Sequence, residues 1–250
     1  MAAFDFSGRH AWVTGAGQGI GWQVAQQLTA LGADVTGFDL AFSQPPAAYA
    51  FRRQTLDLSR DGDVQACVAD HLHHAVPDIL INAAGILRLG GLDNLTMADW
   101  DACFAVNVRA VFSMIRALSP AMKEQRRGSI VTVSSNAAHV PRLNMAAYCA
   151  SKAAVRSFAQ CAALELAPFA VRCNLVSPGS TDTPMLRAML PDGYQRTIGG
   201  LPEQYKLGIP LGKVATPADI TNAVIFLASD LAGHITMHDL VVDGGATLAA

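Results

Sequence analysis

From residue 10 to residue 242, short apolar runs alternate with longer stretches of helical periodicity, and no hairpin signal joins two strand-like runs directly. Strands separated by helices must cross over, so their pairs are parallel and the sheet is covered by helices on both faces. The strand-like runs are 10–14, 34–38, one ending near Leu56, 78–81, 129–133, 171–176 and 239–242. The helical stretches are 19–31, 59–75, 96–126, 147–167 and 217–228, with Pro120 expected to kink or break the long one. The expectation is one α/β domain, Rossmann-like, with a parallel doubly wound sheet. Ligands of such sheets lie beyond the carboxyl ends of the strands, so residues just after each strand are the functional candidates. Residues 178–211, rich in Pro and Gly, read as irregular and too long for an ordinary connection, which makes them a candidate substrate lid.

Several function classes find no support. A chain of 250 residues with 51% hydrophobic content can bury a full core, and its net charge of -2 comes without any long basic run, so nucleic acid is not an expected partner. The first ten residues carry no apolar signal region, and the apolar stretches read as too short or too broken to span a bilayer. The five cysteines are scattered, with no CxxC or zinc-like spacing, which reads as reduced thiols in the cytoplasm. His71, His73 and His74 have no nearby carboxylate or cysteine ligand set and read as a solvated helix face, so no metal is expected.

The first strand runs into Thr14-Gly15-Ala16-Gly17-Gln18-Gly19-Ile20-Gly21, which opens the first helix. Glycines there allow a sharp turn and close approach to a pyrophosphate, and the helix N-terminus offers free N–H groups and partial positive charge. Asp39 at the end of the second strand is placed to accept hydrogen bonds from an adenosine ribose diol. Leu40 and Ala41 follow it and Gln18 stands in the turn, so no cation is offered to a 2′-phosphate and NAD is expected over NADP. Asp57, with Leu58 beside it, could reach the adenine edge, and helix capping by Asp57 or Ser59 competes with that reading.

Tyr148 and Lys152 stand four apart on a helix, so phenol and ammonium share a face. A free phenol, with a pKa of about 10, is a poor base; a neighbouring ammonium is expected to lower that value and let Tyr148 take an alcohol proton while hydride leaves the carbon. Ser135, just after a strand, could hold the substrate oxygen. Asn107, a poor helix former inside a long helix, is either functional or a buried, satisfied amide that bends its helix.

Together these motifs resemble the short-chain dehydrogenase/reductase family along the whole chain: the glycine turn, Asn82-Ala83-Ala84-Gly85, Asn107, Ser135, Tyr148-x-x-x-Lys152, and Pro178-Gly179 with Thr181 and Thr183. The resemblance implies a proton-relay tetrad of Asn107, Ser135, Tyr148 and Lys152, with Lys152 also holding the nicotinamide ribose. It implies that Asn82, Ala83 and Gly85 flank the cofactor and that the backbone after Pro178, with Thr183, meets the carboxamide. Segments 37–42, 83–88, 138–142, 174–183 and 203–213 resemble a narrower branch, whose substrate is a cyclohexadiene diol carboxylate oxidised to a catechol acid for siderophore biosynthesis. Gln18 and Asn136 depart from that branch, where a Lys and an Asp are familiar.

Oxidation of such a diol is driven by aromatisation, which suits an NAD-linked enzyme. The substrate carboxylate calls for a cation, and Arg88 and Arg142, in loops after strands, are the candidates; His139 is a weaker candidate for a hydroxyl contact. Rival readings are a dehydrogenase of 3-oxoacyl or sugar-alcohol substrates and a non-catalytic NAD-binding regulator. Small residues on the 147–167 helix and an apolar tail, 241–250, lead to the expectation of a homotetramer.

Overall fold

The computed structural model describes residues 4–190 and 193–248, so the ends of the expected tail and two residues of the expected lid lie outside the described residues. Seven strands, β1 (His10–Thr14), β2 (Asp34–Asp39), β3 (Arg52–Thr55), β4 (Ile79–Asn82), β5 (Gly128–Val133), β6 (Val171–Pro178) and β7 (Asp239–Val242), form one sheet in the order β3-β2-β1-β4-β5-β6-β7. Every pairing is parallel. Strand order reverses between β1 and β4, where Thr14 stands beside Asn82. The loops leaving these two strands meet at their first residues and then lead to opposite faces of the sheet, opening a crevice beyond the contact.

Among the described residues, eight α-helices connect the strands: α1 (Gly19–Ala30), α2 (Asp61–Leu72), α3 (Met97–Phe104), α4 (Ala110–Gln125), α5 (Ala146–Leu166), α6 (Pro184–Met189), α7 (Gln195–Gly199) and α8 (Pro217–Ala228). Strand side chains alternate between two cores, as the period of two requires. Val13, Ile79, Ile81 and Val131 face α1 and α8, meeting Val24, Leu28, Ile220 and Val224. Trp12, Leu80 and Ile130 face the other way, toward Val64 of α2, Met114 and Leu118 of α4 and Val155 of α5.

Pro120 does not break α4, which continues to Gln125. Proline cannot donate to the carbonyl four residues back, that of Arg116, and the Ser119 hydroxyl donates to it instead at 3.2 Å. The irregularity lies earlier, at a π-helical turn (Ala105–Arg109) that carries Asn107. Residues 178–211 are not wholly irregular either. They hold α6, capped by Thr183 with Pro184 in its first turn, and α7.

The run Met97–Gln125 is long and apolar enough to cross a membrane by length and composition, contrary to the expectation from sequence, but half of its apolar window is buried inside the protein, as for a core helix. His71 departs from the expected solvated face: its ring packs edge-on against Trp12 and Phe38, and its Nδ1 lies 2.9 Å from the Cys67 carbonyl.

Candidate active site

A cavity of about 730 Å³ opens at the carboxyl edge of the sheet, over the β1/β4 crevice. Its adenosine end is built by the turn after β1. At Gly15, with φ of +70°, a Cβ would lie 2.6 to 2.8 Å from the Ala83 and Ala84 backbone, so only glycine lets the two loops touch. The Thr14 hydroxyl accepts from Ala83 N–H at 3.2 Å and Ala84 N–H at 3.3 Å, fixing that approach. Gln18, at the N-cap of α1, makes no side-chain capping bond and the first turn holds no acid, so the helix N-terminus keeps its own side chains off the space a pyrophosphate needs.

Asp39 borders the cavity. Its Oδ2 accepts from Gly17 N–H at 2.8 Å and its Oδ1 from Ala41 N–H at 3.3 Å, which leaves lone pairs for a diol. Gly17 is a residue the sequence reading left out of the site: a Cβ there would stand 2.9 Å from the Asp39 carboxylate and 2.3 Å from Ala41 O. No Lys or Arg from β2, β3 or the loops after them borders the cavity. Asp57 borders it too, but its carboxylate accepts from Ser59 N–H at 2.9 Å and Ser59 Oγ at 2.6 Å, so the capping reading describes its present contacts, and these hold its carboxyl below the usual range.

The remaining expected cofactor residues border the same cavity, with one exception. Asn82 sits behind the wall, its Nδ2 donating to Thr132 Oγ1 at 3.4 Å, because the two residues are register partners of β4 and β5 and their side chains stand side by side on one face of the sheet. Ala83 and Gly85 after it do reach the cavity.

At the chemical end, Ser135 and Tyr148 border the cavity beside Lys152. Ser135 follows β5 and its Oγ accepts from Ala137 N–H at 3.1 Å, which aims the hydroxyl. Lys152 is buried; its Nζ donates to Val133 O at 3.0 Å and lies 5.7 Å from the centre of the Tyr148 ring. Burial pushes the Tyr148 phenol up to about 12, the Ser135 hydroxyl pulling part of this back, and burial brings Lys152 down to about 8. The expected lowering of the phenol by the ammonium is therefore not what this geometry produces: desolvation dominates both groups and favours their neutral forms.

Asn107 does not border the cavity. Its Oδ1 accepts from Ile86 N–H at 2.9 Å, and its Nδ2 donates to Ile86 O at 3.0 Å and Ser151 Oγ at 2.9 Å. Ser151 in turn donates to Tyr148 O at 2.8 Å. The side chain is a buried, satisfied amide in a helix irregularity, and it ties the loop after β4 to the helix that carries Tyr148 and Lys152. Ser151 was missed from sequence; its only signal was a small polar residue beside Lys152.

The two arginine candidates separate. Arg142 is half-buried in the cavity wall, and burial lowers its pKa. Arg88 lies outside the wall, exposed, with Nε 3.6 Å from Asp99, which the capping box of α3 holds in place. His139 is also turned away, its Nε2 2.9 Å from Asp239 in a network that includes Arg156 and Ser177. Asn136 borders the cavity and donates to Asp243 at 3.2 Å. The underside of the 178–211 segment contributes an apolar surface that was also missed, including Leu186, Met189 and Leu201. Among the described residues, no group of three or more His, Cys, Asp or Glu is placed to hold a metal.

A buried ammonium costs stability. Lys152 titrates near 8 in the folded protein against 10.5 when free. Between these values the unfolded chain binds more protons, so the penalty is complete below about 8 and fades as pH rises toward 10.5. Lys152→Met is expected to be more stable than the unaltered protein at pH 7 by about 1–3 kcal/mol, after allowing for the orphaned Val133 carbonyl. Urea midpoints should converge between pH 8 and 10.5; a less stable variant at pH 7 would contradict this.

A family model described as enoyl-(acyl carrier protein) reductase matches residues 15–247. The chain is 51% identical over 249 residues to 2,3-dihydro-2,3-dihydroxybenzoate dehydrogenase of Escherichia coli strain K12, covering 98% of this chain and 100% of that one. It is 44% identical to the enzyme of the same name from Bacillus subtilis strain 168, covering 99% of each. Among solved structures, a short chain dehydrogenase/reductase family protein superposes with a TM-score of 0.85 at 32% identity, covering 96% of this chain and 97% of that one. With a glycine turn at the β1/β4 crevice, and Ser135, Tyr148 and Lys152 at its far end, the chain belongs to the short-chain dehydrogenase/reductase family, whose dehydrogenases work with a nicotinamide cofactor.

Proposed function

We propose that the chain oxidises 2,3-dihydro-2,3-dihydroxybenzoate to 2,3-dihydroxybenzoate with NAD, a step in catecholate siderophore biosynthesis. The observation that carries this reading is the half-buried Arg142 in the same cavity as Ser135 and Tyr148, which offers a cyclic diol acid both an anchor and a base. Near-complete matches to two dehydrogenases of that substrate support it.

When bound, oxidised nicotinamide supplies the hydride acceptor and a positive charge. The chain supplies the rest. Ser135 holds the reacting hydroxyl, and Tyr148 takes its proton as the carbon loses hydride with its electron pair. The product ketone tautomerises to the aromatic catechol acid, and the proton taken by Tyr148 is released to solvent. Lys152 holds its charge beside the Tyr148 ring and offers its remaining donors to the cofactor ribose. Asn107 acts in the tetrad by positioning, through Ile86 and Ser151. We place Gly15, Gln18, Gly19, Ile20 and Gly21 at the pyrophosphate, Asp39 and Leu40 at the adenosine ribose, and Asp57 and Leu58 at the adenine. Ala83, Gly85, Pro178, Thr181 and Thr183 then face the nicotinamide half, and residues 178–211 serve as the lid. The five cysteines, all free thiols, suit a reducing cytoplasm.

NAD is preferred over NADP because the second strand ends on an acid with no cation beside it. Asp39→Ala combined with Leu40→Arg should shift the kcat/KM ratio toward NADP; equal affinity of the unaltered protein for the two cofactors would contradict the reading.

Tyr148→Phe should lower kcat with the diol acid by at least about 10²–10⁴ while NAD still binds with its normal Kd. Near-normal turnover by this variant would remove Tyr148 as the base. A sugar alcohol or 3-oxoacyl substrate turned over faster than the diol acid would favour those rivals.

The protein assembles as a homotetramer through α4 and α5. Phe112 is 42% exposed and Leu164 62% exposed, and Leu164 continues a stripe of exposed Ala153, Ser157 and Cys161 along α5. Light scattering should return four times the 26.3 kDa chain mass at micromolar concentration, and a monomer mass would contradict the assembly.

A further inference from the structure

Arg142 is not alone at its end of the cavity. Lys206 borders the same space and is half-buried. Its position is built rather than free. Leu201 N–H donates to Lys206 O at 2.8 Å and Lys206 N–H to Leu201 O at 3.1 Å, closing a tight turn in which Tyr205 takes a φ of +54°. Buried Leu201 anchors one side of this turn, and Gly200, where a Cβ would lie 2.9 Å from Gly208 N, packs the other.

A lysine on a free loop keeps its ammonium in water and buries only its stem. Lys206 instead titrates below its ordinary value, first through burial and then through the charge of Arg142. Arg142 is likewise lowered by burial. Among the described residues, neither cation has a carboxylate within ion-pair distance. The acids nearby are already engaged. Glu203 pairs with Arg196 at 2.5 Å, Asp182 holds Arg187 at 2.7 Å, and Asp243 accepts from Asn136, Thr247 and Gly245. Arg142 feels the charge of Asp243 at longer range, but two cations in a partly dry wall, neither ion-paired among the described residues, form a site whose charge balance a bound carboxylate would complete.

We infer that Lys206 is a second anchor for the substrate carboxylate, holding it from the segment after α7 while Arg142 holds it from the loop after β5. The inference rests on the reading of the site as a cyclic diol acid dehydrogenase. It gives the turn after α7 a chemical role: the acid bridges that turn to the body of the protein, and a neutral diol does not. Two cations also fix the direction of the carboxylate, which a single contact leaves free to swing, and so hold the ring at one distance from Ser135 and Tyr148.

The test compares the unaltered protein with Lys206→Met, Lys206→Arg and Arg142→Gln on the diol acid and on its neutral carboxamide. NAD affinity is measured for each, and benzoate serves as a simple carboxylate inhibitor. Lys206→Met should lower the preference for acid over amide by about tenfold to a hundredfold, mostly through KM, and weaken benzoate by a similar factor. Lys206→Arg should recover most of the preference, and NAD affinity should not move. A Lys206→Met protein that keeps the acid-over-amide preference, or whose main loss is in NAD affinity, overturns the assignment of Lys206 alone. If the unaltered protein does not prefer the acid, the substrate reading itself fails and the anchor with it.

Discussion

The site exists because two loops leaving adjacent strands can touch at the point where strand order reverses. Gly15 has no side chain to hold them apart, and Thr14 supplies one hydroxyl that accepts from two amides of the facing loop. A methyl group at Gly15 would overlap the Ala83–Ala84 backbone, and one at Gly21 would lie 2.2 Å from Gly15 O. With this contact made, the N-terminus of α1 points into the crevice with its first amides clear of capping side chains, and Asp39 is drawn against the turn by the Gly17 amide. Everything at the chemical end is then indexed to the same loop, because Asn107 binds Ile86 on one side and, through Ser151, the helix of Tyr148 on the other.

The chemical end carries a cost that the core offsets. Burial drives Tyr148 and Lys152 toward the neutral forms, the phenol to about 12 and the ammonium to about 8, while proton abstraction needs a phenolate beside an ammonium. The chain by itself therefore holds Tyr148 protonated, and the positive charge brought by an oxidised cofactor favours the phenolate that takes the substrate proton. Two apolar cores, one on each face of the sheet, supply the stability that lets such groups stay buried.

Much of this was legible in the sequence because it depends on local periodicity and on residues with few interchangeable roles. The alternation of strand and helix, the glycine turn and the Tyr148/Lys152 spacing each rest on residues within a few positions of one another. What was not legible depends on partners far away. Arg88 and Arg142 look alike from sequence, and what separates them is Asp99 beside the first, 11 positions on, and the place of the second in the cavity wall. Pro120 read as a break because its missing donor is obvious, whereas the Ser119 hydroxyl that serves Arg116 O is not. Lys206 owes its burial to a turn held by Leu201 and Gly200, in a stretch that composition alone reads as irregular. The phenol shift had the wrong sign because spacing reveals a neighbouring charge but not the desolvation that outweighs it.

The central claim is that one ring carbon gives up hydride to the nicotinamide in this cavity while the chain takes the hydroxyl proton. Supplying the diol acid with deuterium on its carbinol carbons tests it directly in a single turnover with NAD. The account predicts one deuterium in the reduced nicotinamide for each 2,3-dihydroxybenzoate formed, with none lost to water from the transferring position. Aromatic product without labelled reduced cofactor, or deuterium recovered in solvent from that carbon, would contradict it.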